Sequence, residues 1–373
     1  AADIALAFFQ RGMRKKGEAA IADYDAALGF HPTLDIAYVQ RGQVHLKLNS
    51  FSAAIDDFGR AIEIHQDNLA IVKDDYSRAY RLRAEQHFID NQFAHAVADF
   101  GRAIDHDNSL APLVKGSFSQ SHYELGTARR KNKQLDHAIE HFNQALSIDP
   151  VMVSALVSRG RCHLHMKKLN AAQADFTAAI AMKPSDSILH AGALLGRAEV
   201  VLSQNDPDHG MAISDLNTAL DLRPQPADKQ LLAQCHLNRG KALVSRRNRT
   251  IDDLNNGISD FKAAIDLDPT QEDTLRIARS GALHDLGRME IAQFDTKPEV
   301  ELITSAIQHL RQVVQVDPQA SSLVEKSLSG AYHRRGRLYH GINEYSKAIS
   351  EFDLALATDI TILDLLAADM ALA

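Results

Sequence analysis

Tryptophan is absent from this 373-residue chain, and cysteine occurs only twice. The two thiols, Cys162 and Cys235, are too few for a disulfide framework, which favours a reducing compartment. No apolar run approaches the roughly 20 residues that a bilayer-spanning helix needs. We therefore expect a cytoplasmic protein without a membrane span. Because the first residue is Ala, export through a trimmed leader stays open.

Motifs that carry catalytic chemistry are also missing. The chain has no nucleophile elbow, no phosphate-binding glycine loop and no Cys/His cluster at zinc spacing. His137 and His141 stand four residues apart, but no third ligand completes a metal set. Residues 206–210 resemble part of a calcium loop without its distal glutamate. We expect no catalytic residue, no metal and no cofactor, and hence a protein that is not an enzyme.

What the sequence does contain is a repeated amphipathic phrase. In Ala53–Glu63, small and apolar residues follow the stripe of a helix that buries one face. The phrase occurs nine times around a bulky residue, with a small residue four positions before it and Ala or Val three positions after it. The bulky residues, called anchors below, are Tyr24, Phe58, Phe100, Phe142, Phe176, Leu216, Phe261, Leu310 and Phe352.

Upstream of each anchor lies a second apolar-periodic segment, which carries a glycine in eight of the nine copies. A glycine inside a helix costs about 1 kcal/mol relative to alanine, so its recurrence calls for a packing reason. We expect each glycine to face the small residue of the following helix, so that the two backbones approach closely. The glycines are Gly12, Gly42, Gly126, Gly160, Gly196, Gly240, Gly287 and Gly336.

In the fifth copy, Gly160, Ala172, Phe176, Ala179 and Pro184 have the spacing of the tetratricopeptide repeat. Nearly the whole chain resembles that family. The resemblance implies an all-α fold, a right-handed superhelical solenoid of antiparallel helix hairpins. The nine recurrences place nine repeats within 1–359, and the apolar, helical pattern of 360–373 predicts a C-terminal capping helix. The repeats are expected at 1–32, 33–66, 69–108, 110–150, 151–184, 187–224, 227–269, 271–318 and 320–359.

Several repeats exceed the family's usual 34 residues. In repeats three and four the extra residues precede the first helix, which predicts first helices about two turns longer. In repeats six to eight we expect longer turns, at 203–210, 246–256 and 295–301. Docking of the 360–373 segment into another molecule is the alternative to its role as a cap.

Arginine precedes the glycine, or the alanine that replaces it, in six repeats, and an acid precedes the anchor in the same six. Where leucine takes the arginine's place, at Leu125 and Leu286, a histidine takes the acid's place. Repeat six, with Leu195 and Asp215, breaks this rule. We infer Arg–carboxylate bridges between the two helices, with a ligand site made of arginines as the alternative. The predicted pairs are Arg11–Asp23, Arg41–Asp57, Arg83–Asp99, Arg159–Asp175, Arg239–Asp260 and Arg335–Glu351.

In the family, first helices line a concave groove, and the position after the glycine points into it. That position is basic in repeats five to nine, and histidines stand nearby. The resemblance therefore implies a groove that attracts an acidic protein segment. A solvated basic stripe without a ligand is the alternative. The expected groove residues are Arg161, Arg197, Lys241, Arg288, Arg337, His284, His333 and His340.

We expect a non-catalytic scaffold or adaptor that binds partner protein segments in its groove. The alternatives are a regulatory or targeting region of a larger enzyme and a binder of an anionic polymer. A net charge of −7 and the lack of tryptophan disfavour nucleic acid as the partner. Self-association is a further possibility.

Overall fold

The computed structural model describes residues 1–222 and 228–363, which form eighteen α-helices and no β-strand. The helices alternate as the first and second helix of each repeat, and the expected all-α fold is confirmed. The first helices are α1 (Ala2–Met13), α3 (Asp35–Lys47), α5 (Asn68–Ile89), α7 (Ala111–Lys131), α9 (Val153–His165), α11 (Ser187–Leu202), α13 (Lys229–Ser245), α15 (Glu272–Thr296) and α17 (Ser321–Gly341). The second helices are α2 (Glu18–Phe30), α4 (Phe51–Ile64), α6 (Phe93–His106), α8 (Leu135–Ile148), α10 (Leu169–Ala181), α12 (His209–Asp221), α14 (Ile251–Leu267), α16 (Val300–Val316) and α18 (Tyr345–Thr358).

The chain divides into two compact units, Ala1–Met166 and Lys167–Ala373. The first unit holds the hairpins α1–α2 to α7–α8, with α9 packed on α8. The second holds α10, packed on α11, and the hairpins α11–α12 to α17–α18. Inside each unit, every second helix also packs against the first helix of the next repeat. Contacts between neighbours, rather than one central core, therefore hold each unit together.

The anchors form the centre of this packing. All nine are at most 2% exposed, and the small residues around them are buried as well. Phe58, for example, shares a cluster with Ala54 and Ala61 of its own helix. The same cluster contains Val72 and residues further along the first helix of the following repeat. Each hairpin thus completes its core only when the next hairpin is in place.

The recurrent glycines make room for the anchor side chains. A Cβ atom built on Gly42 would lie 2.8 Å from the ring of Phe58, and one on Gly126 would lie 2.6 Å from the ring of Phe142. In these two repeats the atoms nearest to the added Cβ belong to the anchor ring, whereas the Cβ on Gly287 would also lie 3.2 Å from the backbone oxygen of Ala306, the small residue expected there. The ring edge of the anchor fills the space that a side chain would need. In repeat seven, Gly240 meets both Phe261 and the backbone of Gly257.

Replacing Gly42 with alanine should destabilise the protein by about 1–3 kcal/mol, because the added methyl group overpacks the site against a fully buried ring. Gly101, inside α6, provides the matched control, since no atom lies within 4 Å of a Cβ built there. Gly101→Ala should instead stabilise the helix by up to about 1 kcal/mol. Urea unfolding of the two variants measures the difference. Equal effects of the two substitutions would contradict this account of the glycines.

The long first helices of repeats three and four are confirmed, since α5 has 22 residues and α7 has 21, against 13 in α3. The expected long turns at 246–256 and 295–301 were wrong. There α14 begins at Ile251 and α16 at Val300, so both second helices reach 17 residues. A capping box explains the early start of α14: the Asp253 amide donates to Thr250 Oγ1 (3.1 Å), and the Thr250 amide donates to Asp253 Oδ2 (2.8 Å).

At the C-terminal end, Ile360–Ile362 form a single 3₁₀ turn, and Ile362 packs against the cluster of the last hairpin. The rest of the expected capping helix, 364–373, lies outside the described residues. None of the helices in the described part of the chain combines the length and the apolar character needed to cross a bilayer.

Candidate functional site

Buried carboxylates link the two helices of most hairpins. Asp57, only 4% exposed, accepts hydrogen bonds from Arg41 Nε (3.0 Å) and Nη2 (2.6 Å) across the pair α3–α4. Four further predicted pairs lie at similar distances. They are Arg11–Asp23, Arg83–Asp99, Arg239–Asp260 and Arg335–Glu351. The members of the sixth predicted pair, Arg159 and Asp175, belong to different units, so that pair stays a prediction.

The predicted bridge arginines other than Arg11 have a second contact that the sequence reasoning missed. The remaining guanidinium nitrogen donates to the second helix of the preceding repeat, as in Arg159 Nη1 to Asn143 (2.7 Å) and Arg239 Nη1 to Asn217 (2.7 Å). Arg41 reaches Asp25 in the same way. In these three cases the acceptor directly follows the anchor, and this polar residue was the signal available in the sequence. One side chain thus fixes both the hairpin and its stacking on the previous repeat.

Repeat six follows the same arrangement in a shifted register. Arg197, assigned from its spacing to the groove, donates from Nε and Nη2 to Asp215 at 2.8 and 2.7 Å. The neighbouring Gly196 packs against Phe176, the anchor of the preceding repeat, where a Cβ would lie 2.4 Å from the ring. Ala198, fully buried with Leu216, stands in the usual place of the glycine. Repeat six therefore also carries a bridge, and its groove position becomes Glu199.

Histidines replace the bridge in repeats four and eight. In repeat four, Nδ1 of His122 and Nδ1 of His141 are 3.5 Å apart. Burial, with a smaller contribution from His141, lowers the pKa of His122 to about 4. In repeat eight the acid lies on the first helix and its partner on the second: the buried Glu290 of α15 is 2.9 Å from His309 Nδ1 of α16. The sequence pattern indicated that these two repeats differ, but gave no partner for either histidine.

The first helices of the second unit, α11, α13, α15 and α17, are together called here the first-helix wall. Within it, α11 contacts α13 and α15 contacts α17. Asn238 donates to Glu199 (3.1 Å), and Arg334 donates to Asp295 (2.8 and 3.1 Å). These hydrogen bonds join α11 to α13 and α15 to α17, the first helices of two pairs of consecutive repeats.

Three of the predicted groove cations are exposed on this wall, one per repeat: Lys241, Arg288 and Arg337. Within the described residues, Lys241 and Arg288 form no ion pair. Glu199 takes the equivalent place on α11. The wall therefore presents three successive cations and then one carboxylate, in place of the uninterrupted ladder expected from spacing. Arg161, the fifth predicted base, belongs to α9 in the other unit.

The predicted groove histidines are largely enclosed. His284 is 8% exposed, with Nε2 3.4 Å from Ser327 Oγ on α17, and burial lowers its pKa. His333 is 6% exposed, and its ring lies 5.9 Å from that of Phe352. His340 is half-buried beside Tyr345. Because His284 and His333 pack between helices, neither is available to a ligand on the wall. Across the described residues, no cluster of three or more His, Cys, Asp or Glu side chains could hold a metal ion.

The helices form sequential hairpins, and in each hairpin a buried anchor packs between the two helices. Such hairpins, stacked one after another, define a helical repeat array. Family models described as "Tetratricopeptide repeat" match residues 36–68, 119–150, 153–186 and 329–359. The chain is a tetratricopeptide repeat protein. Proteins with this repeat generally act as scaffolds for protein–protein interactions.

Several solved structures are similar. YrrB, described as a TPR protein with an unusual peptide-binding site, is 16% identical with a TM-score of 0.37, over 59% of this chain and 92% of that one. The TPR domain of P58(IPK) is 17% identical with a TM-score of 0.29, over 99% and 98%. TTC0263, a thermophilic TPR protein from Thermus thermophilus, is 18% identical with a TM-score of 0.35, over 57% and 98%. No curated protein sequence matches this chain.

Proposed function

We propose that this protein is a non-catalytic scaffold whose first-helix wall binds an extended acidic segment of a partner protein. The observation that carries the proposal is the row of exposed cations Lys241, Arg288 and Arg337 at one structural position of three consecutive repeats. Exposed cations at regular intervals raise the local potential and attract anionic segments even when the net charge is negative. Arginine adds a planar fork that binds carboxylates with two hydrogen bonds.

The geometry of stacked helices suggests which acidic segments fit. Packed helices lie about 8–10 Å apart, and an extended chain advances about 3.3 Å per residue. Carboxylates spaced about three residues apart would therefore meet successive cations. Glu199, at the α11 end of the row, favours a basic or amide side chain at the matching end of the peptide. The preferred ligand is thus a segment with three acids at every third position, followed by a lysine.

The test is a fluorescence anisotropy titration of such a peptide against the full chain. Lys241→Glu/Arg288→Glu/Arg337→Glu should weaken binding by roughly 30–100-fold, if each reversed contact costs about 0.7–0.9 kcal/mol. Lys183→Glu/Arg247→Glu/Lys262→Glu is the matched control, because it makes the same change in net charge at exposed sites off the wall. Equal weakening by both triple variants would reject the wall as the binding surface, and so would unchanged binding by the first.

Glu199→Lys offers a gain-of-function arm. It would extend the row of cations to four repeats, so a peptide with four acids should bind more tightly to this variant than to the wild type. The same peptide with lysine at the fourth position should show the opposite preference. A preference that does not depend on the fourth residue would argue against the assigned register.

A cytoplasmic location belongs to the same proposal. Cys162 and Cys235 are both buried and neither forms a disulfide, a state that a reducing compartment preserves.

A further inference from the structure

A cavity of about 220 Å³ lies between the first helices of repeats two and three, α3 and α5. Gln43, Leu46 and Lys47 line it from α3, and Asp75 and Arg78 line it from α5. A hydrogen bond from Gln43 Nε2 to Asp75 Oδ2 (3.0 Å) joins the two helices at the cavity. The cavity is therefore formed by two neighbouring repeats of the first unit.

Lys47 and Arg78 give this cavity two exposed cations. In the described part of the chain, neither of them forms an ion pair. Asp75 stands three residues before Arg78, but its Oδ2 atom accepts from Gln43 rather than from a cation. The floor is apolar, since Leu46 is only 8% exposed. Two cations against one carboxylate attract an anionic group, and the arginine fork binds a carboxylate with two hydrogen bonds.

The polar atoms between the two cations suit the backbone of a peptide. Among the described residues, no group donates to Asp75 Oδ1 or to Gln43 Oε1. Both atoms are acceptors, and an extended segment presents backbone N–H groups that need acceptors. An acidic residue supplies both kinds of partner, because its carboxylate binds the cations while a backbone N–H donates to Asp75.

Exposed apolar side chains lie beside the cavity on the same two helices. Ile36 of α3 is 47% exposed, and Ile71 of α5 is 68% exposed and stands one turn before Asp75. Asn68 Nδ2 of α5 donates to Asp35 Oδ2 of α3 (2.9 Å), so both isoleucines lie at the end where the two helices begin. Ile71 belongs to the additional turns of α5. The long first helix of repeat three therefore supplies part of an apolar area next to the cations.

We propose that this site binds a segment of a partner protein in which an acidic residue and a large apolar residue stand three positions apart. The carboxylate binds Lys47 and Arg78, and the apolar side chain packs on Ile36 and Ile71. Arg78 follows Ile71 by seven residues, or about 10.5 Å along the helix, and three residues of an extended chain span about 10 Å. The site differs from the first-helix wall because it lies in the first unit and selects an apolar residue together with an acid.

The test follows isoleucine methyl signals of the full chain by NMR during titration with the peptide Leu-Ser-Thr-Glu-Ser-Thr-Leu, acetylated and amidated at its ends. Its leucines flank the glutamate at three positions on either side, so one of them meets the apolar area in either chain direction. The methyl signals of Ile36 and Ile71 should shift and saturate. The signal of Ile89, 70% exposed at the other end of α5, should stay in place.

Lys47→Glu/Arg78→Glu should weaken binding of this peptide by roughly tenfold or more, because both cationic contacts are reversed. Lys16→Glu/Lys131→Glu is the matched control, since it makes the same change in net charge at exposed sites of the same unit outside the cavity. The triple variant of the first-helix wall should also bind as the wild type does, which separates failure of this site from failure of the wall. Circular dichroism establishes that the variants are folded.

The apolar part of the proposal has its own test. A peptide with serine in place of both leucines should bind the wild type more weakly, and Ile71→Ser should remove that preference. The proposal is overturned if the Ile36 and Ile71 signals do not shift, or if the two double variants weaken binding equally. A preference for leucine that survives Ile71→Ser overturns it as well.

Discussion

Replacing Asp260 with leucine is expected to lower the free energy of unfolding by about 3–5 kcal/mol. The Asp260 carboxylate is 3% exposed and accepts from Arg239 Nε (2.8 Å), Arg239 Nη2 (2.7 Å) and His236 Nδ1 (2.7 Å). Burial alone would raise the pKa of Asp260, but the hydrogen bonds from Arg239 and His236 outweigh it and lower that pKa. Removing the carboxylate leaves the half-buried Arg239 charge without its counter-ion, and this uncompensated charge accounts for most of the lost stability.

The double variant Arg239→Met/Asp260→Leu should recover most of that loss, because an apolar pair of similar volume carries no desolvation cost. The measurement is a double-mutant cycle by urea unfolding. Glu63→Leu is the control, since Glu63 pairs with Arg60 on the surface with both side chains about two-thirds exposed. It should cost no more than about 1 kcal/mol. A double variant as unstable as Asp260→Leu would show that the pair contributes stability that packing cannot replace.

Acidification from pH 7 to pH 4 should remove about 3 kcal/mol of stability through His122 alone. Burial among Phe118 and His141 lowers its pKa to about 4, against about 6.5 for an unfolded histidine. The folded state therefore holds the neutral ring, and the unfolded state binds the extra proton first. The contribution of the neutral His122 ring to the free energy of unfolding is fully present above pH 6.5. It decreases as the pH drops towards 4 and is fully lost below pH 4.

His122→Gln should remove this component. Unfolding free energies of wild type and variant at pH 7 and pH 4.5 give the comparison, because carboxylates such as Asp260 contribute equally to both proteins. The variant should lose less stability over that interval than the wild type. Since burial also lowers the pKa of His141, His122→Gln/His141→Gln should flatten the dependence further. Identical losses in wild type and both variants would contradict the assignment.

The sequence predicted those parts of the fold in which positions at a fixed spacing each tolerate only one size of side chain. The packing around each anchor, alanine and glycine tolerates only a narrow range of side-chain volumes, so the same residue types recur at the same spacing in nearly every repeat. The register of repeat six was predicted wrongly, because Gly196 packs against Phe176, the anchor of the preceding repeat. The glycine at the usual place is replaced there by Ala198, and spacing alone could not tell the two small residues apart.

The candidate site was harder to predict for a related reason. Exposed side chains such as Lys241 and Arg288 are subject to no packing constraint, so their neighbourhood depends on the register of each repeat. A shift of two residues in repeat six turned a predicted groove cation into the bridge residue Arg197 and put Glu199 in its place. His284 is buried because α17 packs against α15, and the sequence of neither helix alone predicts that contact.

The three-way contacts of the bridge arginines limit how the repeats can be exchanged. The acceptor on the preceding repeat differs from place to place: an aspartate for Arg41, a serine for Arg83, asparagines for Arg159 and Arg239, and a threonine for Arg335. Excising or transposing one hairpin would leave a guanidinium facing an acceptor of the wrong reach or charge. The repeats share one fold, but each is matched to the repeat before it. Arrays recombined from this chain therefore keep the stacking of their hairpins only if each arginine moves together with the hairpin that precedes it.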